Sequence, residues 1–154
     1  MKTGDVIQAV EAAIGQIYPG EKVYTDELPD GFKRPSFALE CMKDDWTDAG
    51  IGLVRREMTL RITCFVPVNA YSDSSRKALN ERQDTVMGIF GQGYLKVGGR
   101  ALHVQLAQGM GTPDFAEVKA VLSWLDSRPG YQDPEEAAAP RMENYELNVT
   151  KGKD

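Results

Sequence analysis

Apolar residues recur at two different periods along this chain, and the change of period marks its elements. From Thr3 to Tyr18 the spacing of Val6, Ile7, Val10, Ala13, Ile14, Ile17 and Tyr18 is helical, with Gln8, Glu11 and Gln16 opposite. Thr3 is the expected N-cap, Asp5 sits in the first turn near the positive dipole end, and Pro19-Gly20 stops the helix. A short strand is expected from Val23 to Asp26. Ser36 to Lys43 then alternates, with Phe37, Leu39 and Cys41 on one face. Asp44 to Gly52 reads as a polar, glycine-rich loop that carries one exposed tryptophan, Trp46.

The longest strand signal follows, from Leu53 to Val66. Met58, Leu60, Ile62, Cys64 and Val66 share one face, and Glu57, Thr59, Arg61 and Thr63 share the other. At ~3.3 Å per residue such a strand spans about 46 Å, against a diameter of about 40 Å for a compact domain of this size. Either the strand bends or its Leu53 end projects as a hairpin arm bearing Asp44, Asp45, Asp48, Arg55 and Arg56. Ser72 to Ser75 caps a second helix that runs to about Phe90. Leu79, Val86, Met87 and Phe90 point inward, and Arg76, Lys77, Glu81, Arg82 and Asp84 are solvated. Tyr94 to Val97 and Ala101 to Ala107 form a hairpin around Gly98-Gly99. Glu117 to Asp126 fits a strand or a helix, and its β-branched content favours the strand. Arg128 to Pro140 is a surface excursion, Met142 to Val149 alternates Tyr145, Leu147 and Val149 like a closing strand, and 150–154 is a frayed tail. The expected fold is therefore α+β, one domain over 1–154: a mainly antiparallel or mixed sheet, two helices on one face, and a long projecting hairpin.

The stretch between the first two strands is dense in backbone-restricting residues. Pro29 presets a turn, Asp30-Gly31 tolerates left-handed conformations, and Pro35 keeps Arg34 extended. The result is a rigid corner displaying Phe32, Lys33 and Arg34. Its residues, Val23-Tyr24-Thr25-Asp26-Glu27-Leu28-Pro29-Asp30-Gly31-Phe32-Lys33-Arg34-Pro35-Ser36-Phe37, resemble the N-terminal signature of a family of bacteriophage tail terminator proteins. The helix before the corner and the order of elements after it are similar too, from Val6 to about Val149. The loop 44–52 and the acidic stretch 133–140 have no counterpart in that pattern. The resemblance implies a small α+β subunit of the virion tail, assembled in the bacterial host cytoplasm. Such subunits form a hexameric ring that caps the tail tube, ends its polymerisation and offers the surface to which the head attaches. Its implied partners are further copies of itself, the tail tube protein, the tail sheath and head-neck proteins, with DNA passing non-specifically through the lumen. The rival within the same class is another head-tail joining or neck completion protein.

Composition narrows the alternatives. With 154 residues, 42% hydrophobic and 27% charged, the chain is of ordinary globular make-up. A net charge of -5 argues against a duplex-DNA binder and is compatible with a channel wall to which DNA does not stick. No signal peptide and no membrane span are expected. Cys41 and Cys64 fall in strand-like runs; a bridge is conceivable if those strands pair, and two core thiols are the expected state in a reducing cytosol. The sequon Asn148-Val149-Thr150 carries little weight without export.

Chemistry is sparse. The single histidine, His103, is expected on the exposed face of its strand, where it would serve a small hydrolase only with a partner carboxylate and nucleophile. Asp44, Asp45 and Asp48 lack the ligand spacing of a calcium loop, and the glycines at 88, 91, 93, 109 and 111 form no nucleotide fingerprint. No catalytic residue, cofactor or metal is assigned, and the expectation is not an enzyme. Phe32, Lys33, Arg34, Asp44, Asp45, Trp46, Asp48, Arg55 and Arg56 are the candidate contacts to a subunit or partner. Lys33 and Arg34 suit an anchor to acidic residues, and Trp46 suits an aromatic anchor.

Overall fold

The computed structural model describes residues 1–25, 27–71 and 73–134. Its elements are α1 (Thr3–Ile17), β1 (Lys22–Tyr24), β2 (Ser36–Gly50), β3 (Leu53–Phe65), α2 (Arg76–Ile89), β4 (Tyr94–Val97), β5 (Arg100–Gln108) and β6 (Ala116–Ser127). The six strands form one sheet in the order β1-β2-β3-β6-β5-β4. Every pairing is antiparallel except that of β1 with β2, so the sheet is mixed and the fold is α+β. The expected strand at 142–149 and the frayed tail lie outside the described residues, as does most of the acidic stretch.

Both helices pack on one face. Val6, Val10 and Ile14 of α1 and Leu79 and Val86 of α2 are fully buried against Met58, Leu60 and Ile62 of β3 and Val118 and Leu122 of β6. Helix α1 also lies against β4, while its Thr3 hydroxyl reaches Asp44 on β2 at 3.0 Å. Touching both flanks of the sheet, the helix is wrapped by it. The cap of α1 differs from expectation: Lys2 is the N-cap, and its backbone N–H donates to Asp5. The Thr3 side chain is instead committed to tertiary bonds.

The central difference from the sequence expectation is β2. It does not end at Lys43 but continues to Gly50, paired with β3 throughout, and the supposed loop 44–52 shrinks to a turn at Ile51-Gly52. A bulge explains why the alternation misleads. Cys41 opposes Leu60 and Lys43 opposes Thr59, leaving Met42 as an extra residue. One extra residue exchanges the two faces of everything beyond it. Phe37, Leu39 and Cys41 point inward before the bulge; Asp44, Trp46 and Asp48 lie opposite the inward Met58, Arg56 and Val54 after it.

The long hairpin does not stand out as a free arm. β6 runs beside β3 from Cys64↔Ala116 to Leu53↔Ser127. The turn itself is covered: Arg128 donates its backbone N–H to Gly52 and its guanidinium to Asp48, and Tyr131 packs over Gly52. Gly52 has φ +74, and an added Cβ would stand 2.5 Å from the Tyr131 ring, so both backbone and space require glycine there. β6, expected as an edge, is an interior strand between β3 and β5. The strand with an open side is β2: β1 covers only Ser36 to Ala38, and no described strand pairs with residues 39–50 on that side.

The remaining expectations hold closely. Ser75 caps α2, accepting from Ala78 N–H at 3.3 Å. Gly98 and Gly99, at φ +55 and +81, make the two-residue turn between β4 and β5. Cys41 and Cys64 are both free; Cys41 opposes Leu60 and Cys64 opposes Phe37, four residues apart in register.

Candidate functional site: the corner and the distal hairpin

Three buried or half-buried arginines each lie over two aromatic rings and hold one carboxylate. They organise the surfaces that sequence reasoning singled out. At the distal hairpin Arg56 is 2% exposed. Its guanidinium lies 4.2 Å from the Trp46 ring and 4.8 Å from the Trp124 ring, its neighbours in register on β2 and β6. It donates to Asp44 at 2.6 Å, to the Met1 carbonyl at 2.5 Å and to the Thr3 hydroxyl at 3.3 Å. The stack therefore ties the start of α1 to the far half of the hairpin. Trp46 covers it from outside and stays 49% exposed.

The corner is built the same way. Phe32 N–H donates to the Pro29 carbonyl, and Gly31 at φ +70 closes the turn. Arg34 turns inward. It sits 5.2 Å from the Phe32 ring and 5.1 Å from the Phe65 ring, and bonds the Asp114 carboxylate at 2.8 Å, Ser74 Oγ at 3.3 Å and the Asp114 carbonyl at 3.2 Å. Phe32 is half-buried, 4.5 Å from Phe65. Lys33 alone of the three points its charge to solvent, while its backbone N–H donates to the Tyr24 hydroxyl.

The third arginine was not anticipated. Arg82 was expected among the solvated residues of α2, and the structure places it at 8% exposure, gripping Glu21 with bonds of 2.5 and 2.7 Å. The Tyr18 and Phe37 rings lie 4.5 and 4.6 Å away. A signal was present: position 82 is three residues after Leu79 and four before Val86, on the buried stripe. Arg56 likewise continues backwards the inward row Met58, Leu60, Ile62. Arginine is suited to such positions because its planar cation stacks on rings while its fork holds a carboxylate.

The acidic residues of the distal hairpin are each engaged. Asp44 bonds Arg56, Asp45 bonds Lys43 and Asp48 bonds Arg128, with Asp45 on the opposite face from the other two. Arg55 is exposed on the outer face, opposite Leu125. Asp126 also lies in this region: burial works against its charge, but hydrogen bonds from the Met1 amine, Trp124 and Arg100 outweigh it and bring its pKa down to about 2. Burial pushes the Cys64 thiol up to about 12, which keeps it protonated and unreactive. His103 is exposed on β5, opposite Ser123 of β6 and Tyr94 of β4.

What this geometry offers is a surface. Around the distal end Trp46, Ile51, Leu53 and Leu125 are exposed apolar groups, and Val68, Tyr71 and Met110 are exposed at the other end of the sheet. Exposed groups of this size mark contact surfaces more often than catalysis. No curated protein matches the chain. A family model described as phage tail terminator protein matches residues 5–111.

Proposed function

Because the chain belongs to the phage tail terminator family, a family of structural tail proteins, we propose that it ends growth of the tail tube as a closed ring of identical subunits. The ring, expected to be hexameric, seats on the last layer of tube protein and presents its other surface to the head-neck proteins; in a contractile tail it also touches the last sheath layer. The observation that carries this reading is the family match, which spans more than half the chain. The distribution of exposed groups supports it. Trp46, Asp45, Asp48 and Arg55 at the distal hairpin and Lys33 at the corner are the side chains available to a neighbour. Phe32, Arg34, Asp44 and Arg56 serve the contact from beneath, by holding those surfaces rigid. A head-to-tail contact between unlike patches closes into a ring when its rotation permits. The net charge of -5 suits a lumen along which DNA slides without sticking.

Negative-stain microscopy of the purified protein with and without tail tubes tests this directly. Rings at the ends of tubes, and overlong tubes when the protein is absent, are the expected results. A ring found at the head portal instead of the tube end would favour the neck-completion reading. Replacing His103 by glutamine separates the hydrolase reading, because the ring predicts tails of normal length and titre.

A further inference from the structure

The open side of β2 is the most exposed backbone in the molecule. Beyond Ala38 the chain continues extended to Gly50, and no described strand satisfies the N–H and C=O groups that face away from β3. An edge of this length recruits other chains unless it is blunted or covered. A groove lies along its near half, where Ile7, Leu28, Leu39 and Cys41 present an apolar row. Twenty residues of the chain, 135–154, follow the described part.

We propose that residues 142–149 of the same chain cover this edge as a seventh strand, antiparallel to β2 and in line with the short β1. The path of the chain leads there. β6 climbs to the distal end beside β3; Arg128 then bonds Gly52 and Asp48, and Tyr131 lies over Gly52, so the chain is already crossing the hairpin turn towards β2. Continuing that crossing brings it to the open side at Gly50, and a strand descending from there runs antiparallel to β2. The length suffices: eight residues span about 26 Å of the edge, and 132–141 bridge the turn with room to spare. The pattern fits as well. Tyr145, Leu147 and Val149 alternate with Asn144, Glu146 and Asn148, giving one apolar row to lie along the groove. Pro140 precedes the segment, at a place where its missing N–H costs no ladder bond. A tethered segment also has an effective concentration on the order of millimolar at its own edge, above that of any free subunit. The free subunit would then carry a closed edge and pair with copies only where assembly brings their other surfaces together. This inference does not depend on the ring.

Hydrogen exchange on the monomer tests it. Amides within 43–48 that face the open side should exchange at least tenfold more slowly in the full chain than in the chain ending at Pro140. The full-length Leu147→Asp variant should also lose the protection, with unchanged protection in β5 and β6 showing that the fold is intact. Equal exchange in all three proteins overturns the proposal. So does protection that rises with protein concentration and vanishes in the dilute monomer, because a second copy would then be the occupant.

Discussion

Single side chains carry more of this fold than their surface-residue types suggest. Arg82, Arg56 and Arg34 are charged residues withdrawn from water, and each is held by a carboxylate and two rings. Removing one partner of such a pair strands the other charge in a poorly solvated place, at a cost of about 3–5 kcal/mol when burial is complete. Arg82→Ala is therefore expected to lower stability by roughly 3 kcal/mol. The double variant Arg82→Met with Glu21→Leu should lose clearly less than the two single losses added together, read by urea denaturation. At the corner the two adjacent basic residues should separate. Arg34→Glu breaks contacts to Asp114 and Ser74 and should lower Tm, whereas Lys33→Glu should leave Tm unchanged. If Lys33 anchors a neighbour, that variant should still weaken ring assembly. Asp126 sets a pH dependence. Its folded pKa of about 2 lies below the ordinary 3.8, so its contribution is complete above pH 4 and is lost as pH falls towards 2. Asp126→Asn should flatten the acid limb of stability in that window, as followed by thermal melts at a series of pH values.

Among the elements, β2 shows how much one residue can decide. The bulge at Met42 turns Asp44 and Trp46 to the helix-facing side, where they complete the stack on Arg56. Deleting Met42 should restore simple alternation and place Lys43, Asp45 and Thr47 there instead. The expected outcome is loss of the Trp46–Arg56 contact, seen as a change in tryptophan fluorescence, with a fall in stability of about 2 kcal/mol or more from the unpaired buried cation. The hairpin turn has its own constraint. Gly52→Ala meets both a left-handed backbone and the Tyr131 ring, and should loosen the 128–131 crossing.

At the scale of the whole molecule, the sheet wraps α1 and leaves different surfaces at its two ends, the distal hairpin with Trp46 and Ile51 and the opposite end with Tyr71 and Met110. An assembling subunit needs unlike surfaces if its contacts are to run head to tail. Arg55→Glu, on the outer face of the distal hairpin, should leave the monomer's Tm intact while lengthening tails and lowering titre. Normal tails in that variant would move the contact elsewhere.

Local order in the chain was enough to determine both helices, the glycine turn between β4 and β5, the strand character of β6 and the inward row of β3. These follow from periodicity and backbone restriction, which neighbours in sequence dictate. The corner residues also pointed to the family without any coordinates. Contacts between distant residues decided the rest. Whether 44–50 is loop or strand depends on a partner strand and a bulge that changes the period, and no local pattern reports a change of register. Arg56 and Arg82 look like surface residues by type, and only Asp44, Glu21 and the rings brought against them make burial tolerable. Which strand keeps an open side is a property of the sheet order, because an edge is defined by the neighbour that is missing.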